Sequence, residues 1–223
     1  MGHGVFLLSV RSPEGDGSPQ YNRGKLMRGG SGVGERTLIL GGVRSGKSEL
    51  AERLARAWDR GTVAYLATGE ARDEEMALRI RRHRERRPAS WETWEGAPED
   101  LPGAVRAREG VLLVDCLTLW ASRLMFREPS SEGEDEGAWQ EAQGRILALG
   151  RDLLAAPGPG VRLILVSNEV GCCLIPPNRL GRRFQELQGR LNRLAAEGAD
   201  RVALVVAGLP LWIKGEAPEE GRA

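Results

Sequence analysis

The chain has 223 residues, 41% of them hydrophobic and 28% charged, with a formal net charge of +1. That length and balance suit one globular domain with a substantial core, and the near-zero charge excludes a globally basic nucleic-acid binder while leaving room for a local basic patch. No apolar run approaches the ~20 residues that a membrane-spanning helix needs.

The opening MGHGVFLLSV has a short apolar core but neither a basic start nor a small-residue cleavage site, so it is not read as a signal peptide. Residues 1–36 are rich in Gly, Ser and charge and read as a flexible N-terminal arm, with Met27 as an alternative start. Residues 37–223 read as one domain. From Thr37 onward, short apolar runs alternate with longer amphipathic segments. Strands are expected at TLIL (37–40), VAYLAT (63–68), VLLVD (111–115), RLILVSN (162–168) and RVALVVAG (201–208). Helices are expected near 47–59, 73–87, 117–126, 138–155 and 179–197. Most of the strands are continuous apolar runs, the mark of strands covered on both faces. Alternation with helices then predicts an α/β fold with a mostly parallel, doubly wound sheet. The acidic stretch REPSSEGEDEGA (127–138) reads as an exposed insertion. Cys116, Cys172 and Cys173 have no framework or metal-ligand spacing, which fits reduced thiols in a cytoplasm.

GGVRSGKSEL follows the first strand and opens the first helix. Gly41, then Gly42, Val43, Arg44 and Ser45, then Gly46, Lys47 and Ser48 match G-x-x-x-x-G-K-[ST]. In that context the backbone N–H groups wrap a phosphate and the positive end of the helix dipole faces it. Lys47 suits the β- and γ-phosphates and the Ser48 hydroxyl suits Mg²⁺. A nucleoside triphosphate site is therefore expected, against the plainer reading of a tight turn. Asp115 ends a later buried strand and is the expected partner of Mg²⁺, directly or through water; its alternative is a helix N-cap. Thr68 and Gly69 follow the second strand at the sheet edge where such folds bind ligands, although an ordinary strand-to-helix turn uses the same residues.

Between Asp73 and Pro88 the chain reads DEEMALRIRRHRERRP. Acidic residues lead and basic residues close, which suits a helix macrodipole, and proline discourages continuation. Part of the arginine excess is thus a helix terminus and a solvated face. Met76, Ile80 and His83 are spaced i, i+4, i+7, so His83 belongs to the apolar stripe and should face the protein body. A structural histidine would satisfy that position. The arginines on either side, Arg79 and Arg87 among them, make it a candidate nucleophile, because nearby cations disfavour the imidazolium and keep a lone pair for attack. The same guanidinium groups could hold phosphates bidentately.

Together these motifs resemble the bifunctional adenosylcobinamide kinase / adenosylcobinamide-phosphate guanylyltransferase family of cobalamin biosynthesis. The resemblance covers residues 37–214 and is carried by GGVRSGKSELAE, AYLATGEARDEEMALRIRRHRERRPASWETWE, VLLVDCLTLW, LVSNEVG and the segment from Asn178 to Lys214. The ordered combination, above all RI-x-x-HR-x-x-RP-x-x-W, is more specific than the phosphate loop. It implies a P-loop NTPase-like (RecA-like) domain and two reactions: phosphorylation of adenosylcobinamide by a nucleoside triphosphate, ATP or GTP, and transfer of GMP from GTP to adenosylcobinamide phosphate. It places the guanylylated histidine on His83. It places nucleotide contacts on Gly41 to Ser48, Thr68, Arg84, Glu85, Arg86, Arg87, Glu95 and Asp115. A homotrimer is also implied. Asn168, at the carboxyl end of its strand, is a candidate for lining the corrinoid site, with plain loop chemistry as the other reading. Cys172-Cys173-Leu174 departs from the family pattern, and the N-terminal arm has no counterpart in it. Two alternatives stand beside this reading: a P-loop small-molecule kinase with a structural His83, and a RecA-like nucleotide-dependent module gripping nucleic acid with its arginines. The low aromatic content of 5% leaves the latter little for base stacking.

Overall fold

The structure, a computed structural model, describes residues 34–71 and 73–218. Nearly all of the expected N-terminal arm and the side chain of Arg79 lie outside the described residues. In chain order the elements are β1 (Glu35–Gly41), α1 (Lys47–Trp58), β2 (Val63–Ala67), α2 (Glu74–Glu85), β3 (Glu92–Glu95), α3 (Leu101–Arg106), β4 (Val111–Asp115), α4 (Leu117–Arg127), α5 (Glu136–Ala155), β5 (Arg162–Asn168), α6 (Arg179–Gly198), β6 (Arg201–Val206) and β7 (Leu209–Lys214). The strands form one sheet in the order β3-β2-β4-β5-β1-β6-β7, parallel throughout except for the antiparallel β6–β7 hairpin.

Successive strand residues point to opposite faces, so each central strand supplies two cores. Ile39, Leu113, Ile164 and Val166 pack with Leu50, Leu54 and Trp58 of α1. Leu38, Leu112, Leu163 and Leu165 pack on the other face with Trp120, Trp139, Ile146, Leu187 and Leu191 from α4, α5 and α6. Burial on both faces explains why these strands lack polar alternation. Trp120 sits wholly inside and donates its indole N–H to the Pro98 carbonyl at 2.6 Å. Replacing Trp120 by alanine opens a cavity and strands that carbonyl, so unfolding in urea should show a loss of about 3–5 kcal/mol. A loss below about 1 kcal/mol would mean the site collapses freely.

Three elements are absent from the expected set. Strand β3, ETWE, is short, charged and mostly exposed, so it carries no apolar run. Helix α3 is six residues with Pro102 and Gly103 inside it, both poor helix formers, although proline is tolerated in a first turn. Strand β7 holds Pro210, which an edge strand accepts. The expected strand 201–208 ends at Val206, because Ala207 and Gly208 take positive φ values of 50° and 83° and form the hairpin turn.

The acidic stretch is mostly exposed, as expected, but it is anchored to the body of the domain. Asp135 caps α5 by accepting from the Ala138 N–H at 3.0 Å. Arg183 of α6, 5% exposed, donates to the Ser130, Ser131 and Gly133 carbonyls and pairs with Glu136 at 2.8 Å. A buried guanidinium needs several acceptors, and this loop supplies them.

Candidate active site

The phosphate loop spans the gap between β1 and α1, at the carboxyl edge of the sheet. Gly46 takes φ 95°, and a side chain there would stand 3.2 Å from the Gly208 Cα. Both the backbone angle and the space require glycine. The Gly208 N–H donates to the Ser45 carbonyl at 2.8 Å, so the β6–β7 turn braces the loop. Val43 and Arg44 are exposed on the loop, with Arg44 at φ 57°. Lys47 reaches back to the Gly42 carbonyl at 2.9 Å, which holds its ammonium over the loop. Burial pulls the Lys47 pKa below the usual lysine value, with Cys116, Asp115 and Glu49 pulling the other way. Ser48 lies half-buried in the first turn of α1.

Asp115 ends β4 on the face of the sheet that carries α1. It accepts a hydrogen bond from the Tyr65 hydroxyl at 2.7 Å. Burial first, and then the Asp115 charge, push the phenol well above its ordinary pKa, so Tyr65 stays a donor. The Arg87 guanidinium lies over the Tyr65 ring, 3.3 Å from its centroid. Its Nε and Nη1 are buried without a hydrogen-bond partner among the described residues. Arg87, Tyr65 and Asp115 thus form one stack across β2 and β4. Tyr65→Phe removes the hydroxyl and keeps the ring. Asp115 should then lose a fixed orientation, lowering nucleotide-dependent turnover roughly tenfold. An unchanged rate would show that this hydrogen bond does not set the carboxylate.

Helix α2 begins at Asp73, whose carboxylate caps the Met76 N–H at 2.7 Å. His83 is half-buried on it, as the helical phase predicts, along with Met76 and Ile80. Nδ1 of His83 lies 3.3 Å from Nη2 of Arg86. A guanidinium can only donate, so a hydrogen bond here requires Nδ1 to be the acceptor. Arg86 in turn meets Glu49 at 3.3 Å and Glu52 at 3.5 Å on α1, and Arg56 of α1 donates to the Arg86 carbonyl at 2.7 Å. Burial raises the Glu52 pKa, opposed chiefly by the Arg86 charge. The end of α2 is therefore fastened to the helix that grows out of the phosphate loop.

Others of the predicted residues gather around a cleft alongside α2. A cleft of about 530 Å³ is lined by Gly69, Ile80, Arg81, Arg84, Glu95 and Arg123 together with the adjoining turns. Arg84 pairs with Glu95 across it. Arg123 of α4 donates to the Thr68 and Gly96 carbonyls at 3.3 and 3.1 Å, tying the exits of β2 and β3 together. The Thr68 hydroxyl is turned inward onto the Cys116 backbone, accepting its N–H and donating to its carbonyl, both at 2.7 Å. The Thr68 hydroxyl is thus committed to the Cys116 backbone, and the residue, 1% exposed, does not line the cleft. Burial raises the Cys116 thiol to about 11, so it is no thiolate. Glu85 is exposed on α2. The expected residues thus form two neighbouring groups: His83, Arg86, Arg87 and Asp115 with the phosphate loop, and Gly69, Arg84 and Glu95 around the cleft. Cys172 and Cys173 are exposed in the turn after β5.

Sequence reasoning missed Tyr65, Glu49, Glu52 and Arg123. The i, i+3 spacing of Glu49 and Glu52 marks one face of α1 and was the available signal; nothing in the strand run around Tyr65 marks its partner.

A strand, a phosphate-wrapping loop, a helix and an acidic residue at the end of a nearby strand define a P-loop nucleotide-binding α/β domain. Residues 37–213 match the family model described as cobinamide kinase / cobinamide phosphate guanyltransferase. The chain is 45% identical over 184 residues to the bifunctional adenosylcobalamin biosynthesis protein CobP of Pseudomonas aeruginosa, covering 81% of this chain and 98% of that protein. It is 38% identical to the bifunctional adenosylcobalamin biosynthesis protein CobU of Escherichia coli K12, with 79% and 98% covered. The chain belongs to the cobinamide kinase / cobinamide phosphate guanyltransferase family. Among solved structures, an ATPase of the type III secretion system superposes with a TM-score of 0.52 at 14% identity, over 77% of this chain and 52% of that one. At that identity the likeness is one of fold, a RecA-like core that spans about half of the larger ATPase.

Proposed function

We propose that this chain carries out both reactions of its family: phosphorylation of adenosylcobinamide, and transfer of GMP through His83 to adenosylcobinamide phosphate. The observation that carries the reading is the linkage of His83 to the phosphate loop. One arginine, Arg86, contacts the imidazole and is clamped to Glu49 and Glu52 of the helix that starts at Lys47.

In the first reaction the acceptor hydroxyl attacks the γ-phosphorus while the phosphate loop and Lys47 hold the triphosphate. In the second, an imidazole nitrogen of His83 attacks the α-phosphorus of GTP and pyrophosphate leaves. A phosphate oxygen of the corrinoid substrate then displaces the imidazole, and the histidine is regenerated. In this arrangement the Nδ1 lone pair faces Arg86, so attack by either imidazole nitrogen needs Arg86 to release the ring. Arg86 and Arg87 can neutralise the departing pyrophosphate. The cleft beside α2, with Gly69, Arg84 and Glu95, holds the remaining nucleotide contacts, and its volume is within the range of ligand sites.

Ser48 and Asp115 offer hard oxygen ligands of the kind Mg²⁺ takes, and Asp115 has only one oxygen engaged by Tyr65. Among the described residues no cluster of three or more His, Cys, Asp or Glu side chains forms a metal site, so Mg²⁺ would complete its shell with phosphate oxygens and water. When bound it would neutralise phosphate charge. The trimer implied by the resemblance has a candidate surface in Val206, Leu209, Leu211 and Ile213, all more than half exposed at the hairpin edge. No described helix is long and apolar enough to cross a membrane, and the cytoplasm is the proposed location.

The two reactions cut the triphosphate at different bonds, so His83 must meet the nucleotide in a second register. None of the described side chains of α2 is fully buried, which makes this helix the easiest to shift. The test of the whole reading is product formation from adenosylcobinamide with ATP and then GTP. Formation of the phosphate without the GDP derivative would reduce the function to a kinase.

A further inference from the structure

Asn168 ends β5, the strand lying between the phosphate-loop strand β1 and the Asp115 strand β4. Its register partner on β1 is Gly41, the first residue of the loop, and the Glu169 N–H donates to the Gly41 carbonyl at 3.1 Å. On β4, Asp115 pairs with Val166, so Asn168 stands two residues further toward the carboxyl edge, about 7 Å. Strand alternation fixes its face. Leu163 and Leu165 belong to the core under α5 and α6, and the Ser167 hydroxyl also turns that way, to Asn192 at 2.7 Å. Ile164 and Val166 belong to the core under α1, and Asn168 follows them in phase. Its carboxamide therefore emerges on the face shared by Lys47, Asp115 and Tyr65.

The backbone of Asn168 is pinned from behind. Its N–H donates to the Thr118 hydroxyl at 2.8 Å and its carbonyl accepts from the Asn192 carboxamide at 3.0 Å. Gln188 and Ser167 complete that buried network. The Asn168 side chain takes no part in it: its Oδ1 is buried and has no hydrogen-bond partner among the described residues. Buried amide oxygens normally find a donor, and an orphan beside a phosphate loop points to a ligand that supplies one.

We propose that the Asn168 carboxamide contacts the transferred γ-phosphoryl group and the acceptor hydroxyl during the kinase step. The assignment rests on the kinase reading above. The amide N–H₂ donates to a γ-phosphate oxygen, and Oδ1 accepts from the incoming hydroxyl and sets its line of approach. The acceptor oxygen bonds to the γ-phosphorus, and the bond from that phosphorus to the β,γ-bridging oxygen breaks. The electron pair remains on the nucleoside diphosphate and the hydroxyl proton is released to solvent. A carboxamide is not a base, so Asn168 orients the hydroxyl without taking its proton. In guanylyl transfer the broken bond is the α,β one, and the γ-phosphate changes no bonding. Asn168 then affects binding of GTP and not the chemical step.

The experiment measures two activities of the full-length protein and of N168A and N168D: phosphorylation of adenosylcobinamide by γ-labelled ATP, and covalent labelling by α-labelled GTP at saturation. N168A should lower the kinase kcat about 100-fold, the scale of losing one oriented hydrogen-bond donor at a transition state. N168D, which puts negative charge against the phosphate, should lower it at least as far. The labelling rate should stay within about threefold, since it keeps the transition-state contacts intact. The quantity read is the ratio of the two activities, which a partly unfolded sample leaves unchanged because both fall together. An unchanged ratio in N168A and N168D overturns the assignment. Wild-type protein that phosphorylates no adenosylcobinamide overturns the kinase reading, and this assignment with it.

Discussion

Replacing Lys47 by alanine is expected to lower both adenosylcobinamide phosphorylation and guanylyl transfer, each by about 10²–10³-fold. The effect should be double because G-x-x-x-x-G-K-[ST] occurs once in the sequence and the proposed mechanism draws on it in both reactions. Lys47 is 9% exposed, and burial lowers its pKa, which means that its ammonium is held in a partly desolvated place. Its anchor is the Gly42 carbonyl, a neutral partner that it can exchange for phosphate oxygens at little cost. A cation in that setting acts on a polyphosphate more strongly than in water. Steady-state assays of the two half-reactions measure the prediction. If guanylyl transfer is unaffected while phosphorylation collapses, the two reactions use different phosphate sites.

Replacing His83 by alanine should abolish covalent labelling by α-labelled GTP, with phosphorylation retained to within about tenfold. The imidazole sits on α2, outside the loop that grips the triphosphate, so its loss leaves the γ-phosphoryl machinery in place. Some loss of kinase activity is expected because Arg86 gives up its contact with Nδ1 while still bound to Glu49 and Glu52. His83→Gln separates the two effects, since a side-chain amide can meet Arg86 but forms no stable phosphoramidate. Retained labelling in either variant would make His83 structural.

The core of the fold was legible because its strands are buried on both faces. VLLVD and RLILVSN coincide with β4 and β5 to the residue, since an uninterrupted apolar run has one plausible use in a doubly wound domain. β3 was not legible because four residues of mixed polarity at an edge carry no period. β7 was hidden by a proline and by apolar side chains that stay exposed. At the site, loop spacing located Lys47 and Ser48, and helical phase gave His83 its inward orientation. The partnering of the arginines could not be read. Arg84 is matched by Glu95 on β3 and Arg86 by acids on α1, all distant in the chain or on an element without a sequence signal. What looked like a uniformly cationic turn is therefore divided, with Arg86 and Arg87 toward the phosphate loop and Arg84 toward the cleft. Nor could Tyr65 be foreseen as the hydrogen-bond donor to Asp115, because it sits in a strand whose other residues are only core.

The central claim is that His83 becomes covalently guanylylated. The direct measurement is peptide mapping by mass spectrometry of the wild-type protein after reaction with GTP and Mg²⁺, with the stability of the adduct followed in acid and in base. The account predicts one GMP adduct on the peptide carrying His83, lost in acid and retained in base as a phosphoramidate is. An adduct on Lys47 or another residue, or turnover to the GDP product with no adduct at all, would contradict it.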